Sequence, residues 1–173
     1  MGNVVAEPMS REGIRQITTQ IREKLNLSSI FYFPIIHFIE KAMPFLYEGF
    51  AYDYVDVSEM PGRYAEALPQ ENLMRIREDV YYNALKNIGR DRFTLAHEVG
   101  HFILHGEGRV SLARTDSVIP PFRDPEWQAN TFAGELLAPV ALISGKGIEF
   151  VTNACKVSMQ TAHIQTQQCN KTR

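Results

Sequence analysis

Cysteine is scarce in this 173-residue chain. The two present, Cys155 and Cys169, are too few to staple a domain of this size. They read as free thiols, which suits a cytoplasmic protein. Charge of either sign is not in excess: 18 Lys and Arg face 20 Asp and Glu, for a net charge of −2. That balance gives no basic field for nucleic acid and no acidic tail. Long apolar runs are missing too. The most apolar stretch, IFYFPIIHFI, is ten residues broken by Pro34 and His37, too short to span a bilayer. The opening MGNVVAEPMSREG lacks the basic region and apolar run of a secretion signal. It also lacks the Ser or Thr of a myristoylation signal. Internal repeats and low-complexity tracts are absent.

What is present is a globular composition. Hydrophobic residues make up 45% of the chain, and its length suits one domain, or one domain with a small appendage. Ile14, Ile17, Ile21 and Leu25 recur at helical spacing behind the capping residue Ser10. A second helix is expected from Pro34, with Ile35, Phe38, Ile39 and Ala42 on one face, stopping before Pro44. GFAYDYVDV (49–57), RYAEAL and LMRIR read as short strands, the last two flanking a PQEN turn. EDVYYNALKNIG reads as a helix ended by Gly89. A further helix is expected from about Asp124, a natural N-cap before Pro125, to Ala138, where Pro139 stops it. Helices, then a small sheet, then helices make an α+β fold.

Between these lies RFTLAHEVGHFILHGEG, residues 92–108. In a helix, residues four apart lie about 40° apart around the axis and one turn up. His97 and His101 can therefore aim imidazole nitrogens at one metal. Glu98 falls to one side, where it can hydrogen-bond a water rather than ligate. Phe93, Leu95, Ala96, Val99, Phe102, Ile103 and Leu104 make the helix apolar nearly all round, hence buried. Two histidines and a glutamate in such a helix are costly without partners. The pattern points to zinc.

His105 is not expected to be the third ligand, because it lies about 12 Å along the axis from His97 while the helix continues. It reads as a last-turn histidine near the negative helix end. DPEWQANTFAGELLAP offers Glu126 and Glu135, nine apart and so on roughly opposite faces. Glu126 shares its face with Asn130, Ala133 and Leu137, and Ala129 is adjacent. Those alanines, with Gly100 opposite, allow two helices to approach closely. The geometry favours Glu126 over Glu135, which is expected to be solvated. Asn130 is placed to hydrogen-bond a zinc histidine. Two histidines, one carboxylate and an open fourth position make a catalytic zinc arrangement, not a structural one.

FTLAHEVGHFILH and EWQANTFAGELLAP together resemble the ImmA/IrrE family of metallo-endopeptidases, over residues 30 to 145. The resemblance implies a zincin-like domain of the gluzincin type, with a small sheet, an active-site helix and a later ligand-bearing helix. It implies His97, His101 and Glu126 as zinc ligands and Glu98 as catalytic base. Ala138 stands where that family usually has Met, a change expected to affect packing only. The resemblance further implies a substrate of the helix-turn-helix repressor class, in a mobile element, a prophage or a stress response.

For the oxyanion, Tyr81, Tyr82, His105 and Arg123 are candidates among which the sequence does not choose. LMRIR, near the active helix, is a candidate for pairing with extended substrate. The expected division is a catalytic domain over residues 1–147 and a helix-turn-helix-like tail over 148–173, capped at Ser158. Lys156, Lys171 and Arg173 are too few cations for firm phosphate attraction, so DNA contact by the tail is not expected. The rival to a zinc endopeptidase is a zinc-containing binding or DNA-binding module that does not cut. The intact Glu98 favours the enzyme, because a purely structural zinc has no use for an unligated carboxylate beside it.

Overall fold

A computed structural model describes residues 5–106, 110–111 and 119–171 of the chain. Its architecture is the α+β arrangement that the element order implied. Strand β1 (Val5–Ala6) leads to helix α1 (Arg11–Lys24), whose first turn is capped by Ser10 Oγ accepting from the Gly13 N–H at 3.1 Å. Ile14 on this helix is fully buried, with Ile17 and Ile21 packed beside it.

The second helix does not stop before Pro44. It runs as α2 (Ile35–His37), widens into a π-helical turn over Phe38–Ala42, and continues as α3 (Met43–Leu46) with Pro44 inside. The Met43 N–H reaches back five residues to the Phe38 carbonyl. The wider turn absorbs the missing donor and the ring of Pro44 without ending the helix.

Strands β2 (Ala51–Val55), β3 (Ala65–Leu68) and β4 (Leu73–Arg77) form one sheet in the order β2-β4-β3. β2 runs parallel to β4, and β3 runs antiparallel to it across the Pro69–Glu71 turn. LMRIR, which is β4, is therefore the central strand and has no free edge. The edge strands are β2 and, from RYAEAL, β3. Met74 and Ile76 point from β4 into the core, while Leu73, Arg75 and Arg77 on the other face are only half-buried.

Helix α4 (Glu78–Leu85) follows directly, and Gly89 does not end it. The left-handed residue after α4 is Asn87, at φ 63°. Gly89 instead opens α5 (Gly89–Leu104), where a Cβ would strike the backbone of Val157 and Ser158. Its small size serves a tertiary contact. Strand β5 (Val110–Ser111) pairs antiparallel with β1. Helix α6 (Pro125–Leu137) lies against α5, and the short α7 (Val140–Ile143) leads to the last pair, α8 (Ile148–Cys155) and α9 (Met159–Lys171). Ser158 caps α9 by accepting from the Thr161 N–H at 3.1 Å. Val151, Cys155, Val157 and Ala162 from this pair belong to the same apolar core as Leu95, Val99 and Leu136. Buried Arg92 of α5 adds polar ties, donating to the Lys156 carbonyl at 2.9 Å and the Phe33 carbonyl at 2.7 Å.

Candidate metal centre

The core-facing stripe of α5 sets the site. Leu95, Ala96, Val99 and Phe102 are buried, which turns His97, Glu98 and His101 toward a cleft of about 800 Å³. Helix α6 starts where Asp124 Oδ1 accepts from the Glu126 N–H at 3.0 Å, with Pro125 in the first helical position. Glu126 thus stands in the first turn of a helix that must come very close to α5. Small residues let it: a Cβ on Gly100 would sit 3.1 Å from Phe132 and 3.3 Å from Ala129 Cα.

The two helices bring three groups together. His97 Nε2 and His101 Nε2 are 3.0 Å apart. Glu126 offers one oxygen 3.4 Å from His97 Nε2 and the other 3.3 Å from His101 Nε2. Ligand atoms bound tetrahedrally at about 2.0–2.1 Å would be spaced by about 3.3 Å, so the donor set fits a zinc-sized cation. Among the described residues, His97, His101 and Glu126 are the group of side chains that could hold a metal ion. The electrostatics agree. Hydrogen bonds from His101 and then His97 hold the Glu126 carboxyl far below its usual range. Burial pulls His97 down, but the hydrogen bond with Glu126 and the charges of Glu98 and Glu126 outweigh it and leave its pKa raised. The pocket is built to hold positive charge.

Around this trio, Asn130 Oδ1 lies 3.0 Å from His97 Nδ1. His105 stands at the C-terminal end of α5, as its place in the sequence implied. It caps α5, is only 6% exposed, and places Nδ1 2.9 Å from His101 Nδ1. Its Nε2 lies 2.8 Å from Gln128 Oε1. Burial pushes the His105 pKa down to about 4. Glu135 also departs from the sequence expectation. It is fully buried and paired with α1, with Arg15 Nε 3.1 Å and Arg11 Nη1 3.5 Å from its oxygens.

Glu98 stands beside the trio without joining it. Its Oε2 accepts from the Ala67 N–H of β3 at 2.8 Å. Burial raises its pKa, against the lowering charges of His101 and His97 and that backbone hydrogen bond. β3, the Pro69–Glu71 turn and Tyr64 line the opposite wall of the cleft. Tyr81, Tyr82 and Arg123 do not line it. Tyr81 donates to Glu40 at 3.0 Å instead. His105 does line the cleft, but both its nitrogens are engaged. Gln128 is the residue the sequence reading passed over. No local pattern marks it, because two of its partners are backbone carbonyls.

The family model described as peptidase M78, the IrrE N-terminal-like domain, matches residues 53–162. The chain belongs to this family. The match covers more than half of the chain, from β2 into α9, and so takes in both helices of the site. It bears out the resemblance seen in FTLAHEVGHFILH and EWQANTFAGELLAP, and it gives the chain a metallopeptidase-type function. No curated protein matches the chain. No helix among the described residues is long and apolar enough to cross a membrane.

Proposed function

We propose that this M78-family protein is a zinc-dependent endopeptidase that makes one site-specific cut in a regulatory protein of the cytoplasm, a helix-turn-helix repressor of a mobile element, prophage or stress response. One observation carries the reading: Glu98 lies half-buried beside His97, His101 and Glu126 yet is bound by none of them, its Oε2 held instead by the Ala67 N–H. That is a base kept next to a metal site, which a non-cleaving module does not need.

In this reading His97, His101 and Glu126 hold the zinc. When bound, the metal supplies Lewis-acid polarisation of the scissile carbonyl and makes the attacking water more acidic. Glu98 takes the proton of that water on its free oxygen and passes it to the leaving amine. Its raised pKa brings it closer to the operating pH, where a base that must also act as an acid works best. The Ala67 hydrogen bond fixes the carboxylate so that one oxygen stays available. Extended substrate adds to the edge strand β3, not to β4, because only β3 combines a free edge with a place on the cleft wall.

The test is incubation of the zinc-loaded protein with the repressor encoded beside it and, separately, with casein. The expected result is one discrete cut in the repressor, little digestion of casein, and no cut by Glu98→Gln that still carries zinc. Equal cutting by wild type and Glu98→Gln removes Glu98 as base. Broad digestion of casein with the repressor untouched removes the regulatory substrate and leaves a general peptidase.

A further inference from the structure

Gln128 on α6 is almost fully buried, and its amide group commits both hydrogens to backbone carbonyls. Nε2 lies 2.9 Å from the Glu7 carbonyl and 2.9 Å from the Phe122 carbonyl. The reverse orientation would set its oxygen against two carbonyl oxygens, so Oε1 is the atom that faces His105 Nε2 at 2.8 Å. An amide oxygen only accepts. The hydrogen of His105 therefore sits on Nε2. No carboxylate bonds either nitrogen of His105, so its partners, His101 on one side and Gln128 on the other, leave it one hydrogen, on Nε2. His105 Nδ1 is thus an acceptor, and it faces His101 Nδ1 at 2.9 Å. His101 must then donate from Nδ1. Its Nε2 is left to face His97 and Glu126.

We propose that Gln128 and His105 form a lock that keeps a hydrogen on His101 Nδ1 and so reserves Nε2, the nitrogen that faces Glu126, as the one that takes the metal. Both are positioning residues, acting through His101. Free neutral histidine in water favours the other tautomer, so the lock supplies something the ligand does not have by itself. Asn130 gives His97 the same service from a single side chain. His101 needs two residues because His105, its neighbour one turn on, must itself be oriented. The anchor is backbone from two separate segments. The Glu7 carbonyl belongs to the N-terminal stretch, outside the residues the family model matches. That stretch is tied to the same loop by the Met9 N–H, 2.8 Å from the Phe122 carbonyl. Docking of residues 7–9 is thus coupled to the state of a ligand on α5.

The inference rests on the proposed metal site, and its test separates the two. Histidine-labelled, metal-free protein at mildly alkaline pH is examined by long-range proton–nitrogen correlation. The expected wild-type pattern is His101 protonated at Nδ1 and His105 at Nε2. In Gln128→Met and in His105→Phe, His101 should lose its single tautomer. Zn2+ affinity, titrated against a chromogenic chelator, should fall by roughly 10–100-fold, the range for loss of an outer partner of a metal histidine. Wild-type His101 protonated only at Nε2 overturns the lock. So does a folded Gln128→Met that keeps both the His101 tautomer and the wild-type affinity. Should either variant fail to fold, the wild-type spectrum alone still decides. A wild type with the expected tautomers but no zinc affinity overturns the metal site and leaves the lock standing.

Discussion

Glu126 and Glu135 sit nine residues apart on α6 and live in opposite surroundings. The Glu135 side chain is fully buried, with Arg15 and Arg11 of α1 supplying its counter-charge. The Glu126 side chain is 68% exposed and faces two imidazole nitrogens at 3.3 and 3.4 Å. A carboxylate matched by guanidinium groups is satisfied as it stands and joins two helices. A carboxylate that shares a pocket with two histidines is complete only with a proton or a cation between them. Burial and function thus part company on this helix: the more buried acid holds the fold, and the more exposed one forms the candidate site.

The largest effect should come from the buried member. Glu135→Ala removes the fully buried carboxylate that ties α6 to Arg15 and Arg11 of α1, and losing one partner of a buried pair costs up to about 3–5 kcal/mol, reduced here because Arg15 keeps Glu12. Chemical denaturation should show that loss while metal bound per folded molecule stays at the wild-type level. Metal loss without a stability change would reverse the roles assigned to the two acids.

A smaller effect is expected beside Glu126. Asn130→Ala removes the oxygen that lies 3.0 Å from His97 Nδ1, and zinc affinity should fall by roughly 10–100-fold. Isothermal titration of the metal-free protein measures it. Unchanged affinity would mean that His97 needs no outer partner.

The smallest effect is on pH dependence without metal. His97 is raised above its ordinary 6.5, so its pairing with Glu126 stabilises fully below that value and fades as pH climbs through the raised one. Glu126 is lowered below its ordinary 4.5, so its share is present above that value and is lost only in strong acid. The thermal midpoint in chelator should therefore benefit most between those two ordinary values. Glu126→Gln should flatten that window, and an unchanged profile would remove the pairing.

The convergence of the candidate site was legible in the sequence because helical periodicity fixes it. His97 and His101 are four apart, and Glu126 and Asn130 are four apart on a helix bounded by Asp124-Pro125 and Pro139. What was illegible depends on distant chain. Glu135 looked solvated because its arginines lie on α1, more than a hundred residues earlier. Gly89 looked like a helix stop because its reason is the backbone of Val157 and Ser158. LMRIR looked like a substrate-pairing strand because sheet order is not written in local alternation. Pro44 looked like a terminator because a wide turn that tolerates it leaves no sequence mark. The tie between His105 and Gln128 was hidden because main-chain carbonyls of Glu7 and Phe122 orient it.

The proposed zinc site needs His97, His101 and Glu126 together. Elemental analysis of purified wild type, Glu126→Gln and Glu135→Gln tests it in one experiment, with circular dichroism to show that each is folded. About one zinc per chain is expected in wild type and in Glu135→Gln, as a mononuclear site requires, and almost none in Glu126→Gln. Full zinc in folded Glu126→Gln, or its loss only in folded Glu135→Gln, would contradict it.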